Sequence, residues 1–212
     1  MRSLCLSLAV ALLVASCSHP DESTLPLHAP GPFAPVVTGL RITGPAGPEQ
    51  IAVWGVPSDP VAVGVLYAGG GERADSVIPG WIPGGFAFYN AYPNPAEGAL
   101  ALRFALPRRS SVDLWVVRAR WIGSPNSDPV SLSGATIPAP ANGAIRTLLH
   151  GVEREAGSYL FIWDGRDDDG GAASSGFYRV YLRADQFVSW RDVLLYHSPD
   201  ELPGDLRNIL HR

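Results

Sequence analysis

The chain has 212 residues, 46% of them hydrophobic and 17% charged, with a formal net charge of −4. That length suits one full domain, or one with a smaller partner; the apolar content excludes global disorder, and the acidic balance leaves no basic footprint for nucleic acid. All 16 basic residues are arginine, which removes Schiff-base and P-loop lysine chemistry, while 23 Gly and 20 Pro suit many short strands joined by tight turns.

Residues 1–16, MRSLCLSLAVALLVAS, carry one arginine, an apolar run over 4–15 and small residues at the end. This is the pattern of a secretory signal peptide, too short to be a stable membrane span. The ending Leu13-Val14-Ala15-Ser16-Cys17 resembles a bacterial lipobox. The resemblance implies cleavage before Cys17, acylation of Cys17 and attachment to the membrane through it. Ser18 in the next position then implies the outer membrane. Cys5 leaves with the signal peptide, so the mature chain has no disulfide despite an oxidising destination. Residues 17–35 are polar and proline-rich and read as a flexible tether.

Residues 36–80 form a short β-rich extension, with runs at 36–42, 51–56 and 61–67 bounded by Gly or Pro. Residues 81–90 lead into Tyr92-Pro93-Asn94-Pro95, where each proline fixes φ and pushes the residue before it toward extended geometry. The next strand alternates: Leu100, Leu102, Phe104 and Leu106 face one way, Ala99, Ala101, Arg103 and Ala105 the other. Pro107 stops it. Val112, Leu114 and Val116 line one face of the following strand, opposite Asp113, Trp115 and Val117. Residues 118–144 read as a long Ser/Pro/Gly/Ala insertion. Then come AIRTLLHG, SYLFIWDG, the acidic turn RDDDGGAASSG, and two closing strands, FYRVYLRA and RDVLLYH, separated by DQFVSW. In the tail, 197–212, Asp205 sits near the start of a short helix whose Leu206, Ile209 and Leu210 share a face.

The segments from IPGGFAFYNAYPNP onward resemble the small β-sandwich modules at the C-termini of many secreted bacterial proteins. Those modules are related to the immunoglobulin-like domain of the flagellar hook-capping protein (FlgD) and to type IX secretion sorting domains. The matching pieces are Tyr92, Pro93, Asn94 and Pro95; Leu106-Pro107; residues 112–116; and residues 147–151. Trp163, Asp164, Gly165, Asp167 and Gly170 follow in the Trp-Asp-Gly hairpin, then Gly176 and Tyr178 in the Ser-Gly-x-Tyr strand start, and residues 193–196. The resemblance covers residues 82–196, about half of the chain. It implies an antiparallel immunoglobulin-like β-sandwich with structural, adhesive or sorting roles. The insertion and the extra tail depart from the family pattern.

Read from the residues themselves, the Asp/Gly cluster after Trp163 supplies positive-φ positions and Asx hydrogen bonds for a hairpin, Trp163 is a core residue, and Gly176 relieves the backbone before the Tyr178 face. Asp167-x-Asp169-Gly170 mimics part of a calcium loop but lacks the carboxylate at the twelfth position, so a solvated turn is the preferred reading. The five histidines are scattered without metal-ligand spacing, AGGGER has neither lysine nor a following helix, and no nucleophile elbow is present. No metal, cofactor or catalytic residue is therefore expected.

The sequence thus leads to an all-β chain: an antiparallel immunoglobulin-like sandwich with added N-terminal strands and a short C-terminal helix. The expected function is a non-enzymatic, lipid-anchored envelope protein contacting an envelope protein or surface ligand through its loops, the insertion or an exposed edge strand. The alternative is a type IX-like secretion sorting domain with residues 33–80 as a small cargo. A hook-cap scaffold is a third reading that suits the fold and conflicts with the signal peptide.

Overall fold

Alternation at residues 100–106 produces the strand around which the rest assembles. In the computed structural model, which describes residues 34–57, 83–121 and 143–210, this run is flanked by short strands on one side and long ones on the other. In chain order the strands are β1 (Val36–Val37), β2 (Gly39–Thr43), β3 (Gln50–Gly55), β4 (Ala87–Phe88), β5 (Ala96–Glu97) and β6 (Leu100–Leu106). They continue with β7 (Ser110–Arg118), β8 (Arg120–Trp121), β9 (Ala144–Arg154), β10 (Gly157–Trp163), β11 (Gly176–Ala184) and β12 (Phe187–Tyr196). A 3-10 turn at Pro199–Glu201 and helix α1 (Gly204–Leu210) close the described chain. The described residues are all-β with one short helix.

Two sheets enclose the main core. The smaller runs β10-β6-β4, all antiparallel; the larger runs β5-β12-β11-β7-β9, antiparallel except that β5 lies parallel to β12. Leu100, Leu102, Phe104 and Leu106 of β6 meet Val112, Leu114 and Val116 of β7, Val180 and Leu182 of β11, and Val193 and Leu195 of β12. The period-2 pattern places these side chains on facing surfaces. Each fully buried Leu, Val or Phe contributes about 1.5–3 kcal/mol relative to exposure.

A second cluster lies on the opposite face of the larger sheet. The β2–β3 hairpin contributes Leu40, Ile42 and Trp54, the sheet contributes Phe177 and Leu194, and the tail contributes Leu202 and Leu206. Trp54 stacks on Trp121 at 4.3 Å and on Phe177 at 5.9 Å, and its indole N–H donates to Asp205 Oδ2 at 2.7 Å. Strand β1 pairs in parallel with β8. Residues 36–55 and the tail therefore pack on the sheet as a shared outer layer.

The expected run at 36–42 is broken at Thr38 into β1 and β2, because β1 pairs with β8 whereas β2 turns to pair with β3. The run at 61–67 lies outside the described residues, as does most of the 118–144 insertion. DQFVSW is not a separate connection. Asp185, at φ 53°, makes a tight turn with its neighbour, and residues 187–190 continue straight into β12, so β11 and β12 pair along their whole length. The tail helix forms as the spacing of its apolar residues suggests, with Leu206 buried.

Leu102→Ala, at a site with no exposed surface, is expected to lower the unfolding free energy by about 2–5 kcal/mol in urea denaturation. Leu160→Ala, where the side chain is 53% exposed, should change it by less than about 1 kcal/mol.

Candidate functional site

Prolines at 93 and 95 have no main-chain N–H, so the Tyr-Pro-Asn-Pro segment can join a ladder only through Tyr92 and Asn94. Both X-Pro bonds, Tyr92–Pro93 and Asn94–Pro95, are cis. Tyr92 exchanges main-chain hydrogen bonds with Ala101 at 3.1 and 2.7 Å. Asn94, 2% exposed, exchanges them with Thr43 of β2 at 3.3 and 3.0 Å. Its side-chain amide donates to the carbonyls of Arg41 and Asp192, both at 3.0 Å, and its Oδ1 accepts from the Leu194 N–H at 3.1 Å. Every polar atom of this residue is committed to the main chain of β2 or β12. Pro93 is half-buried and Pro95 buried beside it.

The Trp-Asp-Gly loop is equally committed. Trp163 is fully buried, meets the Tyr178 ring edge-on at 5.2 Å, and donates its indole N–H to the Arg166 carbonyl at 2.9 Å. Asp164 accepts from the Arg166 N–H at 3.2 Å, Asp167 from the Gly171 N–H at 2.6 Å, and Asp168 from the Thr147 N–H at 2.9 Å. Gly170 donates its N–H to the Asp167 carbonyl at 3.2 Å. Gly165 has φ +68°, and a Cβ there would stand 2.1 Å from the Gly98 carbonyl oxygen, so only glycine fits. Three of the loop's four carboxylates, those of Asp164, Asp167 and Asp168, thus cap a different N–H each. Among the described residues, no group of three or more His, Cys, Asp or Glu is arranged to hold a metal ion.

Tyr178, near the start of β11, donates its hydroxyl to the Ser174 carbonyl four residues upstream and accepts from Arg118 Nη1 at 3.1 Å. Burial pushes the Tyr178 hydroxyl above the usual phenol range, so it stays a donor. Arg118 also donates to the Ser174 hydroxyl and to the Ser175 carbonyl, and so stands over Gly176.

Three carboxylates that the sequence reading left without a role fasten the larger sheet and its outer layer. Asp113, 4% exposed, accepts from the Gly151 N–H and pairs with His150 Nδ1, both at 2.9 Å, and takes Arg183 at 2.7 and 2.6 Å. Burial alone would raise its pKa, but the bonds from Arg183, Gly151 and His150 outweigh burial and hold it below the ordinary carboxylate range. Asp192 forms a two-point pair with buried Arg179 at 2.6 and 2.8 Å, and Arg179 also donates to the Val36 carbonyl at 2.9 Å. Glu201 Oε2 accepts from the Ser175 hydroxyl at 2.5 Å and from the N–H groups of His197 and Ser198; the Ser175 bond leads in depressing its pKa. Ser175 bonds the carboxylate directly and the His197 ring lies on the Ala173 carbonyl at 2.8 Å, so these groups act as a clamp on the tail.

The accessible features lie elsewhere. A small, shallow cleft opens where the hairpin meets β12, lined by Gly39, Arg41, Asn90, Asn94, Trp190 and Asp192 among others. Two strands present apolar side chains to solvent: Ile51 and Val53 of β3, and Leu160 and Ile162 of β10. The sequence reading did not pick out the β10 pair. Its signal was present, since residues 159–163 are apolar at every position and a strand that packs on one core has an apolar surplus on its other face. Cys17 lies outside the described residues. Compared with protein-family models and with curated proteins, the chain matches none.

Asn94→Asp puts a carboxylate oxygen against two carbonyls. It is expected to cost more than about 3 kcal/mol at neutral pH, measured by urea denaturation. Asp113 and Glu201 have folded-state pKa values below their ordinary 3.8 and 4.5, so their contribution is present above those values and is lost as pH falls through the depressed ones. Stability should therefore be level above about pH 5 and decline below it, and Asp113→Asn should make that decline shallower.

Proposed function

We propose that this chain is a non-enzymatic, lipid-anchored cell-envelope protein, acylated at Cys17 and sited at the outer membrane. Its immunoglobulin-like β-sandwich serves as a structural, adhesive or protein-interaction module. One observation carries the reading. The side chains of its recognisable motif are spent on the fold's own main chain, while apolar side chains stand outward on β3 and β10.

The strand order supports an immunoglobulin-like plan. Strands β4, β6 and β10 share one sheet and β7, β11 and β12 the other, the distribution of strands A, B, E and C, F, G in such sandwiches. Strand β9 takes the place beside C. Tyr178, bonded to a carbonyl four residues upstream at the start of β11, occupies the position of the tyrosine corner. Neither sheet contains a cysteine, and the tryptophan of the main core, Trp163, sits at the end of β10, while the buried tryptophan of β7, Trp115, faces away from that core. The T-shaped contact of Trp163 with Tyr178 bridges the two sheets.

The joint burial of the hairpin and the tail favours this reading over a cargo segment followed by a secretion address. Leu40, Ile42 and Trp54 share one cluster with Leu202 and Leu206, so separating residues 36–55 from the sandwich would expose both partners.

Intact-mass measurement of the protein from its native membrane fraction tests the anchor. The expected chain begins at Cys17, carries the added mass of acyl groups and retains Arg212. An unmodified Cys17, or a chain cut near residue 85, would overturn the reading in favour of the sorting domain.

A further inference from the structure

Two arginines of the described chain are more than nine-tenths buried, and they are treated differently. Arg179 has Asp192. Arg103, 7% exposed, lies on the outward face of β6 with its Nε and Nη2 buried and without a hydrogen-bond acceptor. Its guanidinium sits 4.8 Å over the Tyr89 ring, a contact that softens the burial without neutralising the charge. Along β6 its same-face neighbours are Ala101 and Ala105, which keep the floor low. Directly across on β10, Leu160 stands opposite Arg103 and Ile162 opposite Ala101, 53% and 58% exposed. A buried cation without a counter-charge works against folding, and exposed Leu and Ile add nothing to it. Together they make half of an interface: a cation lacking its anion, beside apolar surface lacking its cover.

We propose that the outward face of β4, β6 and β10 docks a segment of a partner protein. That segment covers Leu160 and Ile162 with apolar side chains and brings one Asp or Glu carboxylate to Arg103. A polypeptide suits this face better than a lipid because β10 is an edge strand among the described residues, and its unpaired main-chain groups complement another main chain. The proposal rests on the interaction-module reading above and names the surface it would use.

The test is photo-cross-linking of the full-length chain in its own host, with benzoylphenylalanine in place of Leu160 or Ile162, and in place of Val53 on β3 for comparison. Adducts are identified by peptide mass spectrometry. The expected result is a peptide of another protein, containing Asp or Glu, captured at 160 or 162. Its yield should fall about fivefold or more with Arg103→Met. The melting temperature of purified Arg103→Met should hold or rise, because a buried unpaired charge has been removed. A clear fall in that melting temperature would make Arg103 a structural residue and overturn the proposal. Lipid-only adducts, adducts to a second copy of this chain, or protein adducts indifferent to Arg103 would overturn it too. Capture at 53 but not at 160 or 162 would overturn this face and leave the interaction module standing; no capture at any position would overturn both.

Discussion

The fold depends on one buried amide. Asn94 holds β2 and β12 together through both side-chain N–H groups, its carbonyl oxygen and its own main chain. Those partners are main-chain groups at a place where the two strands approach each other but do not share a ladder. Without a side chain carrying two donors and an acceptor, the carbonyls of Arg41 and Asp192 and the N–H of Leu194 would be buried unsatisfied, each at about 1–3 kcal/mol. The prolines on either side suit this role because they have no N–H of their own to satisfy.

From that joint the outer layer follows. Fixing β2 against β12 lays the hairpin on the far face of the larger sheet, where Trp54, Trp121 and Phe177 stack and the tail helix closes over Leu194. The Arg179–Asp192 pair sits at the edge of this layer and also takes the Val36 carbonyl, so β1 is held by a charge-assisted bond as well as by β8. Asp113 does comparable work on the same face, joining β7, β9 and β11 through one carboxylate. The middle of the larger sheet is thus covered on both faces, and β11 is buried at every position except Arg183, whereas β9 at the sheet edge is largely accessible.

The same economy bears on function. Motif residues that look like chemistry, an acidic cluster and a Ser-Glu-His grouping at 175, 201 and 197, turn out to cap N–H groups and fasten the tail. What is left for a partner is the surface that the fold does not use for itself. Among the described residues the smaller sheet has three strands and no outer layer comparable to the hairpin, and there Leu160, Ile162 and Arg103 lie.

Alternation, turn residues and proline punctuation determined the all-β class, β6 and β7 with their core-facing sides, a tight turn after Trp163 and the short tail helix. These are local consequences of side-chain period and backbone freedom, and they need no knowledge of neighbours. That the loop holding this turn crosses from one sheet to the other, and does not join paired strands as a hairpin, was decided by the tertiary structure. The continuity of β12 through residues 187–190 was not legible, because it depends on β11 as a template. Nor was the packing of residues 36–55 on the sandwich, which turns on Asn94 meeting β2 across roughly fifty residues of chain. Arg103 shows the division most plainly. Period 2 placed it on the face away from the core, where an arginine is ordinarily solvated, and only the tertiary structure decided that it is buried without an anion. A pattern of twos assigns faces, whereas what covers a face is settled by segments distant in the chain or by another molecule.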